Sequence, residues 1–324
     1  MKAAVYHTYG PPDVVRLAEV PNPTPGGDEI LIKIRATTVS SADWRARSLE
    51  VPAGFGFMAR VFFGISRPRQ PILGTELAGD VESVGERVTK FKAGDPVFAF
   101  CGAGMGCHAE YRCVPENAAV ARKPANLTYD EAAALSFGGT TALAFFRKAK
   151  IQRGEKVLVN GASGSVGVAA VQLARHFGAH VTGVCSAANA ELVKSLGARR
   201  VIDYTKEDFT KNGETYDIIV DTAGTAPFSR SRASLTDRGR LLLILGTLSD
   251  LLQAPWVSMT SRKRLIAGPQ AERPADVRFL ADLAERAEFK PVIDRRYTLE
   301  QIVEAHRYVD TGHKKGNVVV TIRP

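Results

Sequence analysis

In the first 120 or so residues, apolar and β-branched positions fall in short runs at 14–20, 29–35, 79–84 and 96–100, cut by Gly and Pro. Such punctuation predicts β-structure, with 21–27 (Pro-Asn-Pro-Thr-Pro-Gly-Gly) as a loop. The pattern changes after Pro124. Thr128, then Asp130, Glu131 and an alanine-rich run to Leu135 form a helix-start signal. From residue 156 apolar strand candidates at 156–160, 180–185, 200–203, 216–221, 240–246 and 264–267 alternate with helical stretches, which predicts a parallel, doubly wound sheet. Its first crossover helix puts Val166, Ala170, Leu173, Ala174 and Phe177 on one face, the stripe needed to cover a sheet. Beyond Gly268 come a charged helix (276–287), an extended stretch (291–297), a helix (299–309) and a terminal strand (317–322). That strand follows an already complete sheet, so it is assigned to the N-terminal β-region. The expected organisation is 1–123 with 268–324 as one domain, and 124–267 as a second inserted between them.

At 324 residues, 45% hydrophobic and 24% charged, the chain has room for about two globular domains. Lys plus Arg exceed Asp plus Glu by 43 − 34 = +9, which invites an anionic partner. The basic residues are scattered in twos and threes without a stripe or reader motif, so no nucleic-acid partner is expected. Cys101, Cys107 and Cys113 recur every six residues, unlike the paired spacing of a zinc ribbon, and with Cys185 read as structural thiols. The N-terminus runs straight into strand-like sequence, which suggests a cytoplasmic protein. The aromatic segment 54–64 is far shorter than the ~20 residues of a membrane span and contains Arg60. It reads equally as a core-packed or dimer-packed helix, or as an apolar lip over a substrate pocket or a membrane-surface contact.

Between the first strand and first helix of the α/β region stands Gly161-Ala162-Ser163-Gly164-Ser165-Val166-Gly167. Glycines there allow a tight turn and a close approach of backbone amides and a helix N-terminus to a pyrophosphate. Ala162 takes the place of one customary glycine. The second strand ends in Cys185-Ser186-Ala187-Ala188-Asn189, with no acid to receive a ribose 2′-hydroxyl. A 2′-phosphate suits hydroxyl, amide and nearby cationic partners instead, so NADPH is the expected cofactor. Ser186, Asn189 and Tyr204 are the candidate contacts, with Arg199 or Arg200 as electrostatic help.

The chain resembles the medium-chain dehydrogenase/reductase superfamily, in particular its zinc-free, quinone oxidoreductase-like branch. The resemblance rests on Leu73-Gly74-Thr75-Glu76-Leu77-Ala78-Gly79, Val84-Gly85, 91–97 (Phe-Lys-Ala-Gly-Asp-Pro-Val), His108-Ala109-Glu110-Tyr111, 138–142 (Gly-Gly-Thr-Thr-Ala), the glycine loop and Val201-Ile202-Asp203-Tyr204. It implies an α/β fold in which a Rossmann doubly wound sheet is inserted in a GroES-like β-barrel domain formed by both chain ends. It also implies an active-site cleft at their junction and a homodimer pairing through 264–267. Zinc-dependent members carry Cys and His ligands where this chain has Ser40 and Thr75, so no metal site is expected.

Residue by residue, the resemblance puts Ser163, Ser165 and Val166 on the pyrophosphate, Ser186 and Tyr204 on the 2′-phosphate, and Thr141, Gly246 and Thr247 towards the nicotinamide. Asn317 reaches the cofactor from the C-terminal end. Asp43 matches a cleft position and is the candidate proton relay, or else a structural carboxylate holding backbone amides. Glu76 reads first as a structural residue bridging domains, and each of the six histidines as a surface or packed residue. The expected activity is zinc-independent, NADPH-dependent hydride transfer to a small-molecule quinone or α,β-unsaturated carbonyl. The alternatives are an NADPH-binding sensor or structural protein without turnover and, weakened by Ser40 and Thr75, a zinc alcohol dehydrogenase.

Overall fold

The structure, a computed structural model, describes residues 1–268 and 273–322. The chain runs through β1 (Lys2–Val5), β2 (Arg16–Glu19), β3 (Glu29–Val39), α1 (Ser41–Ser48), α2 (Gly56–Phe63), β4 (Glu76–Val84), β5 (Pro96–Phe100), β6 (Tyr111–Pro115), β7 (Val120–Arg122), α3 (Tyr129–Ala133) and α4 (Ser136–Ala149). It continues through β8 (Lys156–Asn160), α5 (Ser165–His176), β9 (His180–Cys185), α6 (Ala190–Ser195), β10 (Arg200–Asp203), β11 (Tyr216–Asp221), α7 (Phe228–Ser231), β12 (Leu235–Leu243), α8 (Leu248–Thr260) and β13 (Arg264–Ile266). It ends with α9 (Pro274–Glu285), β14 (Ile293–Thr298), α10 (Ile302–Asp310) and β15 (Asn317–Thr321).

Two compact units result. One takes Met1–Val51, Gly56–Thr140 and the described residues from 273 on; the other takes Pro52–Phe55 and residues 141–268. The chain thus stays with the first unit past 123, through α3 and the start of α4. Thr128 begins α3 with a capping box, its hydroxyl accepting from the Glu131 amide while the Glu131 carboxylate accepts from the Thr128 amide.

The first unit is built on a sheet of order β14-β15-β3-β4-β5-β7, with β6 also paired to β3. The C-terminal strand β15 lies antiparallel to β3, Val318 opposite Val39 and Val320 opposite Thr37, so both ends of the chain share one sheet. Alternation explains why. Ile30, Ile32 and Ile34 of β3 face inward with Val318 and Val320, and α10 adds Ile302, Ala305 and Val309 to the same core. Each fully buried Ile or Val contributes roughly 1.5–3 kcal/mol.

The second unit is an all-parallel sheet of order β10-β9-β8-β11-β12-β13. Numbered along this unit the order reads 3-2-1-4-5-6, the doubly wound arrangement whose ligand crevice lies where the order reverses. Val157, Leu158 and Val159, like Ile218, Ile219 and Val220, are buried without alternation, as expected of strands covered on both faces. The fifth strand begins earlier than its apolar run suggests, at Leu235, and ends at Leu243. Helix α5 is buried from Ser165 through Ala174, wider than the stripe its spacing predicts, because small residues let neighbours close on every side.

The aromatic segment forms α2 with little packing on its outer face: Phe57 is 80% exposed and Phe62 57%, while Phe63 packs on the core. Among the described residues no helix is long and apolar enough to cross a membrane.

Candidate functional site

The reversal point of the parallel sheet lies between β8 and β11, and a network of polar side chains shapes it. Asn160, the last residue of β8, donates from Nδ2 to Asp221 Oδ1 and to Thr225 Oγ1, both at 2.9 Å. Asp221, the last residue of β11, also accepts from the amides of Ala223, Gly224 and Ala226 at 2.8–3.1 Å. Thr222 Oγ1 donates to the carbonyls of Asn160 and Gly161. These bonds fasten the two loops at the strand ends to each other. Sequence reasoning missed this network; its only signal was a polar residue ending each of two otherwise apolar strands.

The glycine loop leaves β8 at Gly161, whose φ of +79° is a backbone conformation costly for other residues. The amides of Gly161 and Ala162 both donate to the Val184 carbonyl, fastening the turn to β9. Ala162 is fully buried here, so its methyl group serves as packing in the place of the missing glycine. A Cβ on Gly167 would come within 2.1 Å of the Gly161 carbonyl oxygen, so only glycine lets α5 start this close to the loop. Gly164 is the N-cap and supplies no side-chain cap. With no side chain at the N-cap and the positive end of the helix dipole facing the turn, the start of α5 is a place that favours an anion.

Ser186 stands at the end of β9 and opens a single helical turn, Ala187–Asn189. Asn189 folds back, its Nδ2 donating to Ser163 Oγ at 3.2 Å, while its Oδ1 is buried without a partner. Tyr204, at the end of β10, is 63% exposed. Ser163, Asn189, Ser186 and Tyr204 thus belong to one edge of the crevice. Neither arginine named with them does. Arg199 and Arg200 lie at the opposite end of β10, and Arg200 is engaged with Glu207 and Glu214. The strand end is also less free of acid than the sequence suggests. Asp203 stands opposite Cys185 across the parallel pair, and its carboxylate accepts from Thr205, which lowers its pKa. Burial, with Asp203 nearby, pushes the Cys185 thiol up to about 11.

Thr141 opens the longer segment of the second unit and is half-buried within α4. Gly246 and Thr247 follow β12. The Thr247 hydroxyl donates to Asp250 Oδ2 at 2.6 Å and accepts from the Asp250 amide, so it caps α8. Asn317 opens β15 in the first unit, its Nδ2 donating to the carbonyls of Ala134 and Val292.

Asp43 is fully buried in the first unit. Oδ2 accepts from the Ser40 amide and hydroxyl, and Oδ1 from the Gly74 amide, all at 2.7 Å. The carboxylate completes the capping box of α1 and ties it to the 74–76 turn. That is the structural role left open above. The Ser40 hydroxyl donates into this bond, and Thr75 Oγ1 is buried with no partner. Among the described residues no group of three or more His, Cys, Asp or Glu is arranged to hold a metal.

Two groups that sequence reasoning left aside stand out electrostatically. Glu76 is fully buried, accepting from Thr38 Oγ1 and the Phe137 amide, and burial raises its pKa to about 7. Lys314 donates to the Gly316 carbonyl; desolvation lowers it to about 8, opposed by Glu76 and Asp294. Both titrate near neutrality within the first unit.

Comparison with known proteins agrees with this architecture. Residues 26–125 match the family model described as alcohol dehydrogenase GroES-like domain, and 196–320 match zinc-binding dehydrogenase. The chloroplastic quinone-oxidoreductase homolog of Spinacia oleracea is 32% identical, covering 99% of this chain and 98% of the relative. The chloroplastic NADPH-dependent alkenal/one oxidoreductase of Arabidopsis thaliana is 29% identical, covering 99% and 79%. The quinone oxidoreductase structure from Coxiella burnetii superposes with a TM-score of 0.87 at 27% identity, covering 100% and 99%. With its Rossmann sheet and GroES-like unit, the chain belongs to the quinone oxidoreductase-like branch of the medium-chain dehydrogenase/reductase superfamily of oxidoreductases.

Proposed function

We propose that this protein uses NADPH to reduce quinones or α,β-unsaturated carbonyls, without zinc. The observation that carries the reading is the glycine turn at α5, where a helix N-terminus without a side-chain cap and a position too close for any Cβ meet at the sheet's reversal point. In this reading Gly161, Ser163, Gly164, Ser165, Val166 and Gly167 hold the pyrophosphate. Ser186, Asn189 and Tyr204 receive the adenosine ribose and its 2′-phosphate, and the unpartnered Asn189 Oδ1 suits a ribose hydroxyl. Thr141, Gly246, Thr247 and Asn317 serve the nicotinamide side, Gly246 and Thr247 chiefly through their backbone. The alkenal/one and quinone oxidoreductase names of the relatives support both cofactor and substrate class.

The donor chemistry at Ser40 and Thr75 does not fit zinc. Both are hydroxyls, and the Ser40 hydroxyl is committed to Asp43. Without a Lewis acid, acceptors that already delocalise the charge left by hydride addition are favoured. The cofactor would supply that hydride. The residues around it bind, orient and shed water, and Glu76 and Lys314 can hold a proton near neutral pH.

The test is oxidation of NADPH by a panel of quinones, enones and alkenals, with cofactor binding measured in parallel. Turnover with at least one acceptor, and tighter binding of NADPH than NADH, are expected. Binding without turnover would establish the second reading, a cofactor sensor, which the full commitment of Asp43 to structural bonds favours. In the same reading the protein is a cytoplasmic homodimer pairing through β13, one of the two edge strands of the parallel sheet. A monomeric mass by light scattering would exclude the dimer.

A further inference from the structure

The second unit carries a concentration of positive charge that cofactor binding does not use. At the end of its sheet opposite the glycine loop, a concavity of about 390 Å³ is lined by Arg153, Gly154, Arg175, Gly178, His180 and Arg199, among others. These residues come from the turn before β8, the last turn of α5, the start of β9 and the turn before β10, so four separate segments converge there. The glycine loop follows the far end of β8. At ~3.3 Å per residue, that five-residue strand separates the two places by about 16 Å.

All three arginines are exposed, and none has an ion pair or hydrogen-bonded acid among the described residues. The carboxylate closest in sequence, Glu155, is occupied by the Arg240 guanidinium and the Gln152 amide. The ordinary explanation for basic residues at this position is the negative end of α5, which carries roughly half a charge. Half a charge against three guanidinium groups leaves more than two uncompensated. The stems are held in place: a Cβ on Gly178 would lie 2.8 Å from Arg153 Cγ, and one on Gly197 2.2 Å from Arg175 Cδ. Two guanidinium stems therefore lie across glycines that leave room for them, which reduces the entropy lost when a ligand is clasped.

We propose that this concavity is a second anion site, binding a compact phosphate-bearing ligand with two or more negative charges, such as a di- or triphosphate group. Guanidinium forks match phosphate oxygens in pairs, and three of them around one hollow suit a polyphosphate better than a single carboxylate. The volume is in the range of small-ligand pockets and leaves no room for a wide polymer groove. The site also gives a physical role to part of the +9 excess.

Pyrophosphate in magnesium-free buffer is the probe, titrated calorimetrically into the full chain saturated with NADPH, so that the cofactor cradle is filled. One saturable site per chain is expected, weakening with added salt. In Arg153→Gln/Arg199→Gln, whose side chains keep their first methylenes, affinity should fall about tenfold or more, with melting temperature and NADPH affinity unchanged. No saturable heat, or the same isotherm in the variant, would overturn the proposal. If the protein does not take up NADPH, titration of wild type against the variant still reads this site alone, because both share the same glycine loop.

Discussion

The reversal point of the parallel sheet and the buried polar centre of the first unit both gather polar groups, but they treat them differently. At the reversal point the N-terminus of α5 has no side-chain cap, and the side chains around it tie the loops after β8 and β11 to each other. In the first unit polar side chains are closed in. Asp43 is saturated, the single bonded nitrogen of Arg47 grips both oxygens of Asp310, and His306 has neither ring nitrogen partnered. His108 stacks edge-on to His306 at 5.5 Å while one of its nitrogens meets the Thr38 carbonyl at 2.9 Å. The difference is one of access to water: the turn at α5 borders the crevice, whereas the polar groups of the first unit are enclosed, Asp43 fully bonded and Arg47 and His306 held in place with nitrogens left over.

The strongest way to break the comparison is Gly167→Val. Its Cβ would collide with the Gly161 carbonyl, so the second unit should lose about 3 kcal/mol or more and NADPH affinity should collapse. Wild-type affinity and melting temperature in this variant would mean the cradle is not where the cofactor sits. Asp43→Ala should cost about 3 kcal/mol by orphaning two amides and a hydroxyl. Asp43→Asn should melt earlier yet keep its pH-rate profile. A profile that loses one limb at unchanged melting temperature would restore Asp43 as a proton relay. Ser186→Asp is a smaller change: a carboxylate beside a 2′-phosphate should shift preference from NADPH towards NADH by about tenfold, read as the ratio of kcat/KM values.

The gentlest probe is pH. Burial holds the His306 pKa well below its ordinary value, with His108 and Arg47 adding to the effect. The unfolded chain therefore binds the extra proton first, and stability is lost as pH falls below about 6.5. Glu76 works in the opposite direction. Its raised pKa contributes stability that is full below about 4.5 and lost as pH rises through about 7. In His306→Leu the Glu76 slope should stand alone, so denaturant midpoints should rise from pH 7 to pH 5. In Glu76→Gln they should fall over the same interval. Parallel curves in both variants would mean that neither group is linked to folding.

Much of this was legible because it is local. The six strands of the parallel sheet announce themselves as apolar runs, and the glycine loop needs only adjacent residues to create its turn. Thr128 with Glu131 likewise marks a helix start within four residues. The failures were of range. Arg199 and Arg200 are near Tyr204 in sequence, yet a strand carries them to opposite ends of the sheet. Asp203 is eighteen residues from Cys185 but directly across from it.

The sequence by itself determined the alternation of strand and helix, the cradle at 161–167 and the place of β15 beside an N-terminal strand, because periodicity and glycine geometry act over a few residues. Only the tertiary structure decided that Asp43 is a clasp, that Glu76 and Lys314 titrate near neutrality, and that Arg153, Arg175 and Arg199 share one hollow. Each of those facts depends on how much water surrounds a group and which distant segment faces it, and folding alone sets both.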